Sequence, residues 1–123
     1  MKQRKLTEDY LRTIYVLSRQ KGVHGSDLAK TLCVSRPTVS VTLKSLSEEG
    51  FIWLDQGRNI HLTERGLQIA QDIDEQNRFF LGLLTGLGIE AETAAREACE
   101  MEHCLSPESF SILKAALGQQ SGN

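Results

Sequence analysis

Apolar positions along the first stretch of the chain keep helical time. Leu11, Ile14, Tyr15 and Leu17 recur at three- and four-residue spacing, and Leu6-Thr7-Glu8-Asp9 ahead of them has the marks of a helix start. Thr7 is expected as N-cap, acids fill the first turn, Leu6 is placed to staple onto Leu11, and Gly22 ends the helix. A second helix, capped by Ser26, turns Leu28, Ala29 and Leu32 inward and stops near Cys33 and Val34. Ser35 caps a third, which tolerates Pro37 in its first turn, faces Val39, Leu43 and Leu46 to the core and closes at Gly50.

The period then shortens. Residues 51–54 and 59–62 are short apolar strands around Asp55-Gln56-Gly57-Arg58, a hairpin with Gly in the turn. Thr63 caps a long helix through Ile69 and Ile73 toward Phe79, Phe80, Leu83 and Leu84. Another helix is expected over residues 91–104, and Ser106-Pro107 opens a short last one carrying Phe110, Ile112 and Leu113. The fold class that follows is mostly α: a winged helix-turn-helix with a small β-hairpin wing over residues 1–65, a helical domain over 66–117, and a flexible polar tail over 118–123.

In that order of elements the third helix is the one that enters a DNA major groove. With Val39, Leu43 and Leu46 buried, its other face presents Arg36, Pro37, Ser40, Val41 and Lys44, with Ser35 and Thr38 at its N-terminal end. Hydroxyls and amides there suit phosphate oxygens, Arg36 reaches a guanine edge, and Pro37 or Val41 meets a thymine methyl. Arg58 stands at the wing tip. The candidate DNA contacts are therefore Thr7, Ser35, Arg36, Pro37, Thr38, Ser40, Lys44 and Arg58. Charge agrees: residues 1–65 hold 11 Lys/Arg against 7 Asp/Glu, while residues 66–123 hold 3 against 9, within a net charge of −2. A solvated helix face on a protein-binding domain is the competing reading of the same pattern.

At 123 residues the chain can bury only a modest core. No apolar run reaches the roughly 20 residues that span a bilayer, and Met1-Lys2-Gln3-Arg4-Lys5 leads into an amphipathic segment, so a soluble cytoplasmic protein is expected. Cys33, Cys99 and Cys104 are an odd number, which argues for reduced thiols.

The densest chemistry lies in Arg96-Glu97-Ala98-Cys99-Glu100-Met101-Glu102-His103-Cys104. On a helix, Cys99, Glu102 and His103 fall at i, i+3 and i+4, so a thiolate, a carboxylate and an imidazole share one face. These are three metal-ligand types converging from one turn, with room for a fourth from elsewhere.

Four segments in order, Leu6-Thr7-Glu8-Asp9-Tyr10-Leu11-Arg12-Thr13-Ile14-Tyr15, Val34-Ser35-Arg36-Pro37-Thr38-Val39-Ser40, Leu62-Thr63-Glu64-Arg65-Gly66 and Glu97-Ala98-Cys99-Glu100-Met101-Glu102-His103, carry a resemblance. Together they resemble the diphtheria toxin repressor and manganese transport regulator family of metal-dependent transcriptional regulators, in its short two-domain form. The resemblance covers residues 5–116. It implies a DNA-binding domain, a dimerisation domain, a metal site, and a homodimer that binds palindromic operator DNA, most simply as a repressor. It also implies that Asp9 joins Cys99, Glu102 and His103 as a metal ligand. A second acidic ligand of the family falls on Arg12, a histidine on Asn77, and the partners of an ancillary site on Leu81 and Ala95. One metal per subunit is therefore expected, its shell completed by water or the carbonyl of Glu100.

A thiolate beside imidazole and carboxylates favours Fe(II), with Zn(II), Co(II) or Ni(II) possible, over Mn(II), although Asp9 resembles the manganese branch. Since Asp9 belongs to the DNA-binding half and the other ligands to the second half, metal is expected to couple the two. Two alternatives stay open. One is a DNA-binding regulator whose metal site is vestigial or redox-responsive, with Arg12 standing in for the cation. The other is a small metal-dependent hydrolase with Glu102 as base. Phe79, Phe80, Leu83, Leu84, Leu87 and Ile89 form an apolar concentration suited to a two-fold dimer, shared with an internal core against the last helix.

Overall fold

A computed structural model of the chain describes residues 2–121, with side chains for residues 4–117. Its elements are α1 (Lys2–Leu17), α2 (Gly25–Leu32), α3 (Arg36–Glu48), β1 (Ile52–Leu54), β2 (Ile60–Leu62), α4 (Glu64–Gly86), α5 (Ala91–Met101) and α6 (Pro107–Ser121). The chain divides into two compact units, Met1–Asp72 and Ile73–Asn123. The division falls inside α4, whereas the change of pattern in the sequence falls where α4 begins.

In the first unit α1 begins earlier than its cap signal suggests. Lys2, Gln3, Arg4 and Lys5 are good helix formers, and Arg4 Nε pairs with Glu8 one turn on, at 3.2 Å. Thr7 consequently lies in the helix interior and caps nothing, and Leu6 is left 45% exposed instead of stapling onto Leu11. The helix stops at Leu17, ahead of Gly22, in a turn where Gln20 N–H donates to Leu17 O. The next helix also starts early, at Gly25. Asp27 accepts the His24 N–H at 2.9 Å, so His24 is the N-cap and Ser26 sits in the first turn. By contrast α3 is as its sequence predicts: Ser35 Oγ accepts the Thr38 N–H at 3.2 Å, and Val39, Leu43 and Leu46 are buried.

The core of this unit gathers Tyr10, Leu11 and Ile14 from α1 with Leu28, Val39, Leu43 and Leu46 from the next two helices. Each such side chain contributes about 1.5–3 kcal/mol on full burial. The two strands are antiparallel with Ile52 opposite Leu62, Trp53 opposite His61 and Leu54 opposite Ile60. Alternation sends Ile52 and Ile60 into the core and leaves Trp53 half-exposed, stacked on His61 with ring centroids 4.3 Å apart. The Ile60 N–H donates to Val23 O at 2.8 Å and ties the hairpin to the segment before α2.

Two glycines are required by geometry. Gly50 takes φ +84° after α3, where the Phe51 N–H reaches back to Leu46 O. At the start of α4, a Cβ on Gly66 would lie 2.1 Å from Phe51 O, which is backbone and cannot swing away. Gly66→Ala is expected to lower stability by about 1–3 kcal/mol, the usual range for forced overpacking. Urea unfolding checks this, and a midpoint unchanged from wild type would contradict the close packing of Gly66 on the Phe51 backbone.

The second unit comprises the C-terminal part of α4 with α5 and α6. Phe79 meets Phe80 and Phe110 edge to face, with Phe79 and Phe80 centroids 5.3 Å apart, the Phe80 and Phe110 rings are tilted, and Ala98 lets α5 approach them. Much of the expected dimer set thus serves the internal core: Phe80 is fully buried, and Phe79, Leu83 and Leu84 pack partly buried against it. Leu87 remains 73% exposed, and Ile112 of the last helix is 68% exposed. Ser106 Oγ accepts the Ser109 N–H at 3.0 Å with Pro107 at the first helical position. The expected tail is corrected in part. Gly118 alone does not stop a helix, since glycine costs only about 1 kcal/mol there, and α6 continues to Ser121. Residues 122 and 123 lie outside the described residues. No described helix is long and apolar enough to cross a membrane.

Candidate functional site

The exposed face of α3 follows from its buried one. With Val39, Leu43 and Leu46 inward, Arg36, Pro37, Thr38, Ser40 and Lys44 are all exposed, as is Val41 at 71%. Ser35, also exposed, spends its hydroxyl on the cap and on Thr38 Oγ1 at 2.8 Å, leaving backbone groups at the helix start for a phosphate.

The wing is fixed by one carboxylate. Asp55 accepts the N–H groups of Gly57 and Asn59, both at 2.9 Å, and its other oxygen lies 2.8 Å from His61 Nε2. These contacts lower the Asp55 pKa to about 2, the His61 hydrogen bond first and the Asn59 N–H second. Held this way, the turn places its left-handed residue at Arg58 (φ +63°), one position beyond the glycine the sequence offered for it. A carboxylate with a depressed folded pKa stabilises the folded wing above its unfolded pKa near 3.9, and the contribution fades as pH falls toward 2. Protection of the Gly57 and Asn59 amides from hydrogen exchange is expected to persist down to about pH 4 and to weaken below it. In Asp55→Ala it should already be lost at neutral pH. Equal protection in the two proteins would show that the loop does not depend on Asp55.

Between α3 and the wing lies a groove of about 340 Å³ lined by His24, Ser26, Arg36, Ser40, Leu43 and Arg58. The structure thus brings Arg36, Ser40 and Arg58 together. It adds His24 and Ser26, which the sequence pattern does not single out because its cap signal for α2 falls two residues later, on Ser26. Thr7 is elsewhere: it lines a separate pocket of about 260 Å³ with Leu6, Val41, Thr42 and Ser45.

In the second unit the ligand candidates gather where α5 ends. Glu90 caps the start by accepting the N–H groups of Glu92 and Thr93, and Ala94 and Ala98 face the core. The helix closes at Met101, not at Cys104 as its sequence suggests. Glu102 is the C-cap with its N–H still on Ala98 O at 3.0 Å, and the chain then tightens, His103 N–H to Glu100 O and Cys104 N–H to Met101 O. The one remaining α-type bond keeps Glu102 and His103 on the side of Cys99.

Their ligand atoms, the Cys99 Sγ, a Glu102 oxygen and a His103 ring nitrogen, all lie within 4.8 Å of one another. Ligands on opposite sides of an ion at about 2.0–2.3 Å stand about 4–4.6 Å apart, so this spacing and these donor types fit a divalent transition metal. Glu102 is 1% exposed, and His103 Nε2 lies 3.5 Å from Glu102 Oε2. From α4, Asn77 Nδ2 donates to Glu102 Oε1 at 2.7 Å, a contact between positions 25 apart in the chain. Cys104 is not part of the group. It is exposed, and its thiol donates to Glu100 O at 3.3 Å. No disulfide joins the cysteines. Asp9 and Arg12 belong to the first unit, half-buried on α1.

A family model described as the iron dependent repressor N-terminal DNA binding domain matches residues 4–58. A second, described as the iron dependent repressor metal binding and dimerisation domain, matches residues 63–121. The transcriptional regulator MntR of Salmonella typhimurium is 36% identical over 121 residues, 98% of this chain and 76% of its own length. The diphtheria toxin repressor of Corynebacterium glutamicum is 34% identical over 83% of this chain, which spans 46% of that protein. Among solved structures, the manganese regulator SloR aligns with a TM-score of 0.79 at 30% identity, covering 91% of this chain. The chain spans about half the length of that structure, 53%.

Proposed function

Because the chain belongs to the iron-dependent repressor family of transcriptional regulators, we propose that it is a cytoplasmic metal-responsive repressor, binding palindromic operator DNA as a homodimer when loaded with one divalent metal per subunit. Asp9, Cys99, Glu102 and His103 are the proposed ligands, a set of four residues of the types that hold such an ion. The observation that carries the proposal is the gathering of thiol, carboxylate and imidazole at the end of α5 around a buried Glu102. A bound divalent cation would supply positive charge to tie these side chains together.

The protein's own residues do the rest. Cys99, Glu102 and His103 fix a ligand face in the second unit, and Asp9 offers a carboxylate from α1, the helix on which the core of the DNA-binding unit is built. A site drawing on both units favours one arrangement of the two. DNA affinity then rises if that arrangement sets the two α3 helices of a dimer one DNA turn apart, about 34 Å. Ser35, Arg36, Pro37, Thr38, Ser40 and Lys44 supply phosphate and base contacts from α3, and Arg58 from the wing. Leu87 and Ile112 supply exposed apolar surface to a dimer. The Cys99 donor supports Fe(II), while the likeness to a manganese regulator supports Mn(II). Fe(II) is the reading adopted here.

A shift assay on duplexes selected from a random pool, run anaerobically with Fe(II) or Mn(II) and again with chelator, tests the proposal. A shift that chelator removes is expected. A shift indifferent to chelator would leave a regulator without metal response, and no shift together with metal-dependent hydrolysis would make the chain an enzyme.

A further inference from the structure

We propose that Asn77 is a positioning residue that gives the two oxygens of Glu102 separate tasks: Oε1 is held by the Asn77 amide, and Oε2 alone serves a metal. The inference rests on the proposed metal site. It starts from the hydrogen bond of 2.7 Å from Asn77 Nδ2 to Glu102 Oε1, both residues buried, at 7% and 1% exposure. A carboxylate only accepts, so the amide must present its NH₂ group there, and its positive N–H dipole lies along the approach to Oε1. The other oxygen, Oε2, is the one directed at His103 Nε2, 3.5 Å away, and so toward the ligand group.

Three consequences follow from this placement. Glu102 binds through one oxygen instead of two, which favours a low coordination number beside the Cys99 thiolate. The N–H dipole repels any second cation from Oε1, and Asn77 itself brings no negative charge, so the α4 side of the site takes no further ion. The carboxylate is also locked in orientation before metal arrives, because a hydrogen bond to a charged group in a buried place is stronger than one in water. Contacts of this kind behind a ligand commonly change metal affinity about 10- to 100-fold.

Co(II) tests this, since it reports ligand type and coordination number by its colour. The wild-type chain is expected to bind one Co(II) with a thiolate charge-transfer band and the intense d–d bands of a low-coordinate site. In Asn77→Ala, Glu102 is released to bind through both oxygens: the d–d bands should weaken and Co(II) affinity fall about 10- to 100-fold, with the thiolate band retained. If Asn77→Ala does not fold, the near-isosteric Asn77→Leu removes the donor without opening a cavity or adding a charge, and its d–d bands should weaken in the same way. A variant that is only less heat-stable, with wild-type spectrum and affinity, overturns the assignment, because a purely structural role predicts that result. Absence of the thiolate band in the wild-type chain would overturn the metal site itself, and this inference with it.

Discussion

Asp9→Ala is expected to abolish the metal dependence of DNA binding while leaving a weak, salt-sensitive background. The proposal makes Asp9 the one ligand supplied by the DNA-binding unit, so its loss disconnects the two units without dismantling the α5 ligand face. Metal should still bind through Cys99, Glu102 and His103, with lower affinity. His103→Ala, by contrast, should lose both metal and response, because it removes the imidazole from a group whose atoms lie within 4.8 Å of one another. Coupling between two such sites is typically about 1–3 kcal/mol, or 5- to 150-fold in affinity, so the difference between plus-metal and minus-metal titrations should shrink from that range to about one. The background follows from basic side chains near phosphate and should fall steeply with salt. Fluorescence anisotropy of a labelled duplex measures all of this, and an unchanged metal response in Asp9→Ala would remove Asp9 from the mechanism.

The second large effect is expected at Arg36. It is exposed at the first position of α3 and lines the groove shared with Arg58 of the wing. A bidentate arginine contact to guanine is worth about 1–3 kcal/mol of discrimination per half-site. Over the two half-sites of a dimer this is about 2–6 kcal/mol, so Arg36→Ala should weaken specific binding at least about 30-fold and relax preference at one base of each half-site. Lys44→Ala, a phosphate contact in the same proposal, should weaken specific and non-specific duplexes alike and reduce the salt slope by about one charge per subunit. Comparing the two variants on selected and scrambled duplexes separates the roles. If Arg36→Ala and Lys44→Ala gave the same uniform loss, Arg36 would be a phosphate contact and base readout would lie elsewhere.

What the sequence makes legible here are the features written in local chemistry. Ser35 with Pro37, and Ser106 with Pro107, mark two helix starts because cap and proline need only neighbouring backbone. The hairpin shows itself through two short apolar runs on either side of Asp55-Gln56-Gly57-Arg58, and the Cys99, Glu102 and His103 group through its spacing alone. Features decided by competition between signals are read less well. Thr7 looks like a cap, but four strong helix formers precede it and an ion pair between Arg4 and Glu8 continues the helix through it. His24 is an unusual N-cap, and only the Asp27 carboxylate on its N–H makes it one. The end of α5 depends on a tightening turn at 102–104 that leaves the i, i+3, i+4 face nearly intact, so the ligand spacing is correct although the helix boundary is not.

Contacts distant in sequence are hardest. Asn77 stands out in the sequence only as a poor ligand where the family resemblance implies a histidine, and nothing local indicates that its amide meets Glu102 25 residues later. The same holds for the fate of the apolar concentration at the end of α4. Phe79 and Phe80 are claimed by Phe110 of α6, and Leu87, which no helix covers within its own unit, is left exposed.

Linkage is reciprocal, and that gives the central claim its most direct measurement. Mn(II) and Fe(II) affinities are measured for the protein alone and for the protein saturated with a selected duplex, by isothermal titration calorimetry under anaerobic conditions. Metal affinity should rise on DNA by the same factor, about 5- to 150-fold, by which metal raises DNA affinity. Equal metal affinities with and without DNA would contradict the proposal that the ion at Asp9, Cys99, Glu102 and His103 controls the DNA-binding unit.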